Sequence, residues 1–146
     1  MAESRSLGLA LLLGRGRAAL LAWLVDRLRA RGHGALTLPA LEFLGQLDCG
    51  INHASDVARR LGVSRQMVAK TVTDLAGKGW LAQRPDPDRR NRKIILFTAA
   101  GERVMSDARA ILAELDETLD ARLAPGWETR LTDDLGALIA SLEETA

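Results

Sequence analysis

The chain has one cysteine, Cys49, no tyrosine, two phenylalanines and four prolines among its 146 residues. A lone thiol excludes an internal disulfide and a Cys-rich zinc site, and so sparing a use of cysteine fits a reducing compartment. Few aromatics leave little material for a large sheet, whereas abundant Leu and Ala within an apolar share of 47% favour helix. Gly-rich phosphate loops, Cys/His nucleophile sets and clusters with metal-ligand spacing are all missing, so the sequence offers no parts for an enzyme, a metal site or a bound cofactor. His33 and His53 stand apart from Cys49 and from any close carboxylate pair, and both read as solvated loop residues.

A long uninterrupted apolar run is also lacking. Residues 7–13 are too few to span a bilayer, and Arg15 and Arg17 interrupt them before residues 18–25 continue the pattern. No small-residue cleavage site follows an unbroken apolar core, so the expectation is a cytoplasmic chain without membrane contact. The length suits one ordinary domain with a core of its own.

Charge is unevenly spread behind a net value of +1. Residues 1–54 carry six basic and four acidic side chains, residues 55–103 eleven and five, and residues 104–146 three and ten. The middle segment is therefore the basic one, the footprint expected where phosphates are bound.

Hydrophobic periodicity predicts a first helix over about residues 9–31, with Leu13, Leu20, Leu21, Trp23, Leu24 and Leu28 at helical spacing, weakened at its start by Gly14 and Gly16. Gly32 and Gly34 stop it. Thr37 is placed to cap a second helix that begins with Pro39 in its first turn and carries Leu41, Phe43, Leu44 and Leu47. After a link at 51–53, residues 56–61 form a short helix. Gly62 to Ser64 make a turn, and Ser64 caps a helix over 64–78. Ala58, Gly62 and Val68 supply in order the small contact residue, the positive-φ turn and the apolar residue facing back that two closely crossing helices need. Val68, Val72 and Leu75 turn inward, leaving Ser64, Arg65, Gln66, Ala69, Lys70 and Thr73 as a candidate surface for a DNA major groove.

Gly79 ends that helix. Residues 80–84 alternate as a strand, 85–93 turn, and 94–97 pair back. This hairpin carries Arg84, Arg89, Arg90, Arg92 and Lys93, cations suited to a narrow minor groove, with Arg89, Arg90 and Arg92 foremost. Beyond it a long helix opens at Ala99 or Ala100 and repeats apolar residues through Leu119 and Leu123. Pro125 and Gly126 break it, and a last helix carries Trp127, Leu131, Leu135, Leu138, Ile139 and Leu142. The terminal helices have more apolar stripe than a small winged region can cover. Leu13, Leu20, Leu119, Leu123, Trp127, Leu131, Leu135 and Leu138 are thus expected in the interface of a homodimer.

The fold class expected is mainly α with a small β wing: a winged helix-turn-helix over 36–101 and a helical dimerisation module from 1–34 and 102–146. The pattern of residues 56–64, the Lys78-Gly79-Trp80-Leu81 junction, residues 85–90 and the Leu96-Phe97-Thr98-Ala99-Ala100-Gly101 segment together resemble the MarR family of transcriptional regulators along the whole chain. That resemblance implies a homodimeric repressor on a pseudo-palindromic operator in double-stranded DNA. It also implies release by a small aromatic or phenolic ligand near Trp23, Leu24, Leu41, Phe43 and Leu44. It further implies a wing acid that holds an arginine: Asp88 with Arg90, or Asp86 instead. The thiol-sensing branch of the family places its cysteine near the start of the first helix with tyrosine partners, which does not match Cys49, so Cys49 is expected to be a buried structural thiol. The alternative function is a winged-helix module for protein association that reads no DNA sequence.

Overall fold

The computed structural model describes residues 5–89 and 91–145, which form six helices and one three-stranded sheet. The order is α1 (Arg5–Ala30), α2 (Leu38–Leu44), β1 (Asn52–His53), α3 (Ala54–Leu61), α4 (Arg65–Gly77), β2 (Leu81–Pro85), β3 (Lys93–Phe97), α5 (Ala99–Arg122) and α6 (Trp127–Glu144). The mainly helical class with a small sheet is the one expected from the sequence. Contacts divide the chain into two compact units, Met1–Ile111 and Leu112–Ala146.

In the first unit, α1 is continuous across Arg15 and Arg17, as the helix expected over about residues 9–31 requires, and it begins a few residues earlier, at Arg5. Its segment Ser6–Ala30 is long and apolar enough, by length and composition, to cross a membrane. The two mid-helix arginines oppose that use, since each costs about 2.5–3.5 kcal/mol at the centre of a bilayer-spanning helix. Only the last third of α1 enters the core, through Leu24, Val25 and Leu28. Helix α2 begins as its sequence dictates: Thr37 Oγ1 accepts the Ala40 N–H at 3.3 Å, and Pro39 occupies the first turn, where a missing N–H costs nothing. Leu28, Leu36, Leu44, Val57, Val68, Val72, Val104 and Ile111 are fully buried, one or two from each surrounding helix or loop, and make a single core.

The sheet has the order β1-β3-β2 and is antiparallel throughout. Leu81 pairs with Phe97 and Pro85 with Lys93, so the expected hairpin is present. A third strand was not expected. Asn52 and His53, read as a link, pair with Ile95 and Ile94. Asn52 is buried and its amide holds the preceding turn: Oδ1 accepts the Asp48 N–H at 2.8 Å, and Nδ2 donates to the carbonyls of Asp48 at 2.9 Å and Gly50 at 3.2 Å. With Asn52 filling the inside of that turn, Cys49 is exposed, which corrects the expectation of a buried thiol.

The junction from sheet to α5 explains the Thr98-to-Gly101 motif. Thr98 Oγ1 accepts the Gly101 N–H at 3.1 Å and caps the helix, and its backbone N–H reaches the Trp80 carbonyl at 3.0 Å. A Cβ on Gly101 would stand 2.1 Å from that same carbonyl oxygen, so only glycine allows α5 to approach β2 this closely. Further along α5, Asp107 Oδ2 lies 2.7 Å from His33 Nε2. His33 is therefore a partly buried tether between the α1–α2 loop and α5, not a solvated residue.

In the second unit, the last turns of α5 lead through a turn to α6. Gly126 adopts a left-handed φ of 77°, Trp127 Nε1 donates to Asp120 Oδ1 at 2.8 Å, and Arg130 Nη1 donates to the Pro125 carbonyl at 2.8 Å. The break at Pro125 and Gly126 falls where the sequence placed it. No residue of α6 is buried.

Candidate nucleic-acid interface

Helix α3 ends at Gly62, whose φ of 64° and ψ of 31° lie in the left-handed region that a side chain disfavours. There the Val63 N–H turns back to the Ala58 carbonyl at 3.1 Å. Ala58 and Val68 are both buried, so the small residue of α3 and the apolar residue of α4 occupy the crossing as expected. Ser64 Oγ then accepts the Met67 N–H at 3.1 Å and starts α4. Because α4 buries Val68, Val72 and Leu75, Arg65, Gln66, Ala69, Lys70 and Thr73 are left exposed. At 3.6 residues per turn, Gln66, Lys70 and Thr73 lie opposite the buried stripe, while Arg65 and Ala69 flank it. The Thr73 hydroxyl donates to the Ala69 carbonyl at 2.9 Å, so its methyl group is the free part.

Met67 belongs to the same exposed surface and was not among the candidate residues. It is 57% exposed, in the first turn of α4. The signal was present in the helical phase, since residue 67 is adjacent to the stripe of 66, 70 and 73. An apolar side chain was read there as neither core nor reader.

The wing is a shaped loop. The Asp86 N–H donates to the Arg92 carbonyl at 2.8 Å, the Arg89 N–H to the Asp86 carbonyl at 3.3 Å, and the Arg92 N–H to the Arg89 carbonyl at 2.9 Å. Asp86, only 7% exposed, accepts the Asp88 N–H on Oδ1 at 2.9 Å, an Asx turn that sets the direction of the loop. Its Oδ2 lies 3.8 Å from His53 Nδ1, a buried nitrogen without a hydrogen-bond partner. His53 is thus half-buried at the root of the wing, which corrects its reading as a solvated loop residue. Arg84, Asp88, Arg89, Arg92 and Lys93 are exposed. Arg90, and with it the pairing to Asp88, lies outside the described residues; Asp86 is the wing acid that the fold engages.

Leu24, Leu41, Phe43 and Leu44, expected near a ligand, are buried core residues. Trp23 is half-buried beneath the Arg27 guanidinium, 4.4 Å from its ring centre. None of the five lines either of the two clefts described in the first unit. One, of about 510 Å³, lies between α3 and the wing and includes His53, Asp56, Asp86 and Arg92. The other, of about 550 Å³, is formed by Leu47, Cys49, Phe97, Glu102, Met105 and Arg109 with Gly45 and Ser106. This second cleft lies at the end of α2 and the start of α5, away from the buried aliphatic side chains Leu24, Leu41 and Leu44.

A helix-turn-helix followed by a two-stranded wing, with a third strand closing the sheet, defines a winged helix-turn-helix protein. No family model and no curated protein sequence matches the chain. Among solved structures it is similar to Sco5413, a MarR family transcriptional regulator from Streptomyces coelicolor, with 23% identity over 97% of this chain and 98% of that one and a TM-score of 0.69. It is similar also to S. aureus MepR in a DNA complex, with 20% identity over 88% of this chain and 95% of the other and a TM-score of 0.65. A third similar structure is the organohalide-sensing regulator RdhR-CbdbA1625 in its 2,4-dichlorophenol-bound form, with 16% identity over 94% and 80% of the two chains and a TM-score of 0.72. The fold is the MarR-type winged helix. Coverage of 97% leaves room for only a few unmatched residues, so α1 is part of the shared fold.

Proposed function

We propose that the chain is a homodimeric, sequence-specific DNA-binding transcriptional regulator that represses by occluding its promoter. The observation that carries this reading is the joint exposure, over a sealed core, of the polar and cationic face of α4 and of the wing cations Arg84, Arg89, Arg92 and Lys93. Gln66 has the amide to address adenine N6 and N7, and Arg65 the guanidinium to address guanine O6 and N7. Lys70 and the wing cations neutralise phosphates or enter the minor groove. The known DNA complex of the structurally similar MepR supports the partner, and the dichlorophenol-bound state of RdhR-CbdbA1625 supports the binding of a small aromatic ligand.

Dimerisation is supported by the terminal helices. Leu13, Leu20, Leu123 and Leu131 are exposed, Leu119, Trp127, Leu135 and Leu138 are half-buried, and Leu12 and Leu142 reach 64% and 61% exposure. Apolar side chains exposed in such number call for a covering partner. A second copy of the chain supplies it and sets two α4 helices at successive major grooves, about 34–36 Å apart.

The test is titration of fluorescent random-sequence duplex with the protein across a salt series. A dimer that neutralises about 6–10 phosphates loses about 10³–10⁵-fold in affinity between roughly 50 and 200 mM salt. A flat response, or no binding at low salt, would turn the reading toward a protein-association module.

A further inference from the structure

Among the described residues, the large apolar side chains left exposed are concentrated in α1 and in residues 123–142, where the proposed dimer covers them. Within residues 36–101 only Ile51 and Met67 are left exposed in this way. Ile51 sits in the loop before β1, but Met67 stands in the first turn of α4, between Gln66 and the buried Val68. Its backbone is pinned on both sides. Ser64 Oγ accepts its N–H at 3.1 Å, and its carbonyl accepts the Thr71 hydroxyl at 3.0 Å. A position fixed in this manner projects its side chain from the end of the helix whose residues meet base edges in helix-turn-helix proteins.

A thioether has almost no hydrogen-bonding capacity to offer a base, and an isolated methionine in water gains nothing from exposure. The major-groove edges of the base pairs carry one apolar group, the 5-methyl of thymine. We propose that Met67 reads that methyl group, resting on the DNA-reading role proposed above, and so makes α4 select a thymine beside the base addressed by Gln66. Thr73, whose free methyl lies about two turns further along the helix, is too far from Met67 to contact the same base. The long, unbranched methionine side chain follows the methyl through small changes in docking, which a β-branched residue could not do.

The experiment uses the full chain and the sequence it selects from randomised duplex DNA, with each thymine of a half-site replaced singly by deoxyuridine. That replacement removes the 5-methyl and leaves pairing intact. Loss of one buried methyl is expected to weaken the wild type about three- to fivefold at one thymine per half-site. Met67→Ala binds the unmodified site more weakly and is indifferent to the replacement at that thymine, whereas Met67→Leu keeps the discrimination. Thermal unfolding of both variants checks that the exposed position leaves the fold unchanged. A wild type that binds a selected sequence but tolerates deoxyuridine at every position would overturn the assignment and spare the DNA-reading role. Equal sensitivity of wild type and Met67→Ala at the same thymine would also overturn it. Absence of any sequence-selective binding defeats the DNA-reading role and this inference together.

Discussion

The winged region and the terminal helices treat their apolar residues in opposite ways. Between residues 36 and 101, the side chains of Val57 in α3, of Val68, Val72 and Leu75 in α4, and of Ile94 and Ile95 on the two faces of β3 are all buried. What this region leaves outside is mostly charged or polar. In α6 the reverse holds, since an 18-residue helix with an apolar stripe leaves Leu131, Ile139 and Leu142 exposed and buries no residue fully. The N-terminal part of α1 is similar, with Leu7, Leu11, Leu12 and Leu13 all exposed. One region is finished within a single chain and turns a polar surface outward. The other leaves apolar side chains exposed, and on these the proposed dimer rests.

The largest effect is expected from removing that unfinished surface. Deletion of 127–146 is expected to give a monomer by sedimentation and, by loss of the linked second reader, an operator affinity lower by about 10²–10⁴-fold. An intact dimer after the deletion would remove the contrast between the regions. Next comes the sealed region itself. Gly101→Ala would drive a methyl group into the Trp80 carbonyl, and an unfolding titration in urea is expected to show a loss of about 1–3 kcal/mol or more. Unchanged stability would mean that the junction is less tightly closed than its geometry indicates.

A smaller effect is expected from the outward faces. Gln66→Ala is expected to lose about 1–3 kcal/mol of discrimination at one base pair, measured by competition between operator variants, while its unfolding free energy stays within about 0.5 kcal/mol of wild type. The smallest effect belongs to the wing: Arg92→Ala is expected to weaken all DNA sequences alike and to lower the salt slope by about one. A base-specific loss from Arg92→Ala would exchange the roles given to helix and wing.

Features governed by neighbours in the chain were legible in advance. The caps Thr37 and Ser64, the turn at Gly62, and the break at Pro125 and Gly126 depend on local stereochemistry, which residue type reports directly. Features set by distant partners were not. Strand β1 is two residues long, and nothing in Asn52-His53 announces a strand until Ile94 and Ile95 lie beside them. The tether from His33 to Asp107 joins residues 74 apart, and the closeness of His53 to Asp86 depends on the same third strand. For Cys49, the residue type favours burial, but Asn52 takes the interior of its turn. On the candidate interface, residues expected by their polarity are exposed as a group. Met67 fell outside the expected set because that set was chosen for polarity, and an apolar residue beside it carries no such signal.

Recovery of bound sites from randomised duplex DNA tests most directly whether the unfinished helices pair two finished readers. The expected result is an inverted repeat whose half-sites lie about 10–10.5 base pairs apart, centre to centre. A single unrepeated half-site, or no enriched motif at all, would contradict it.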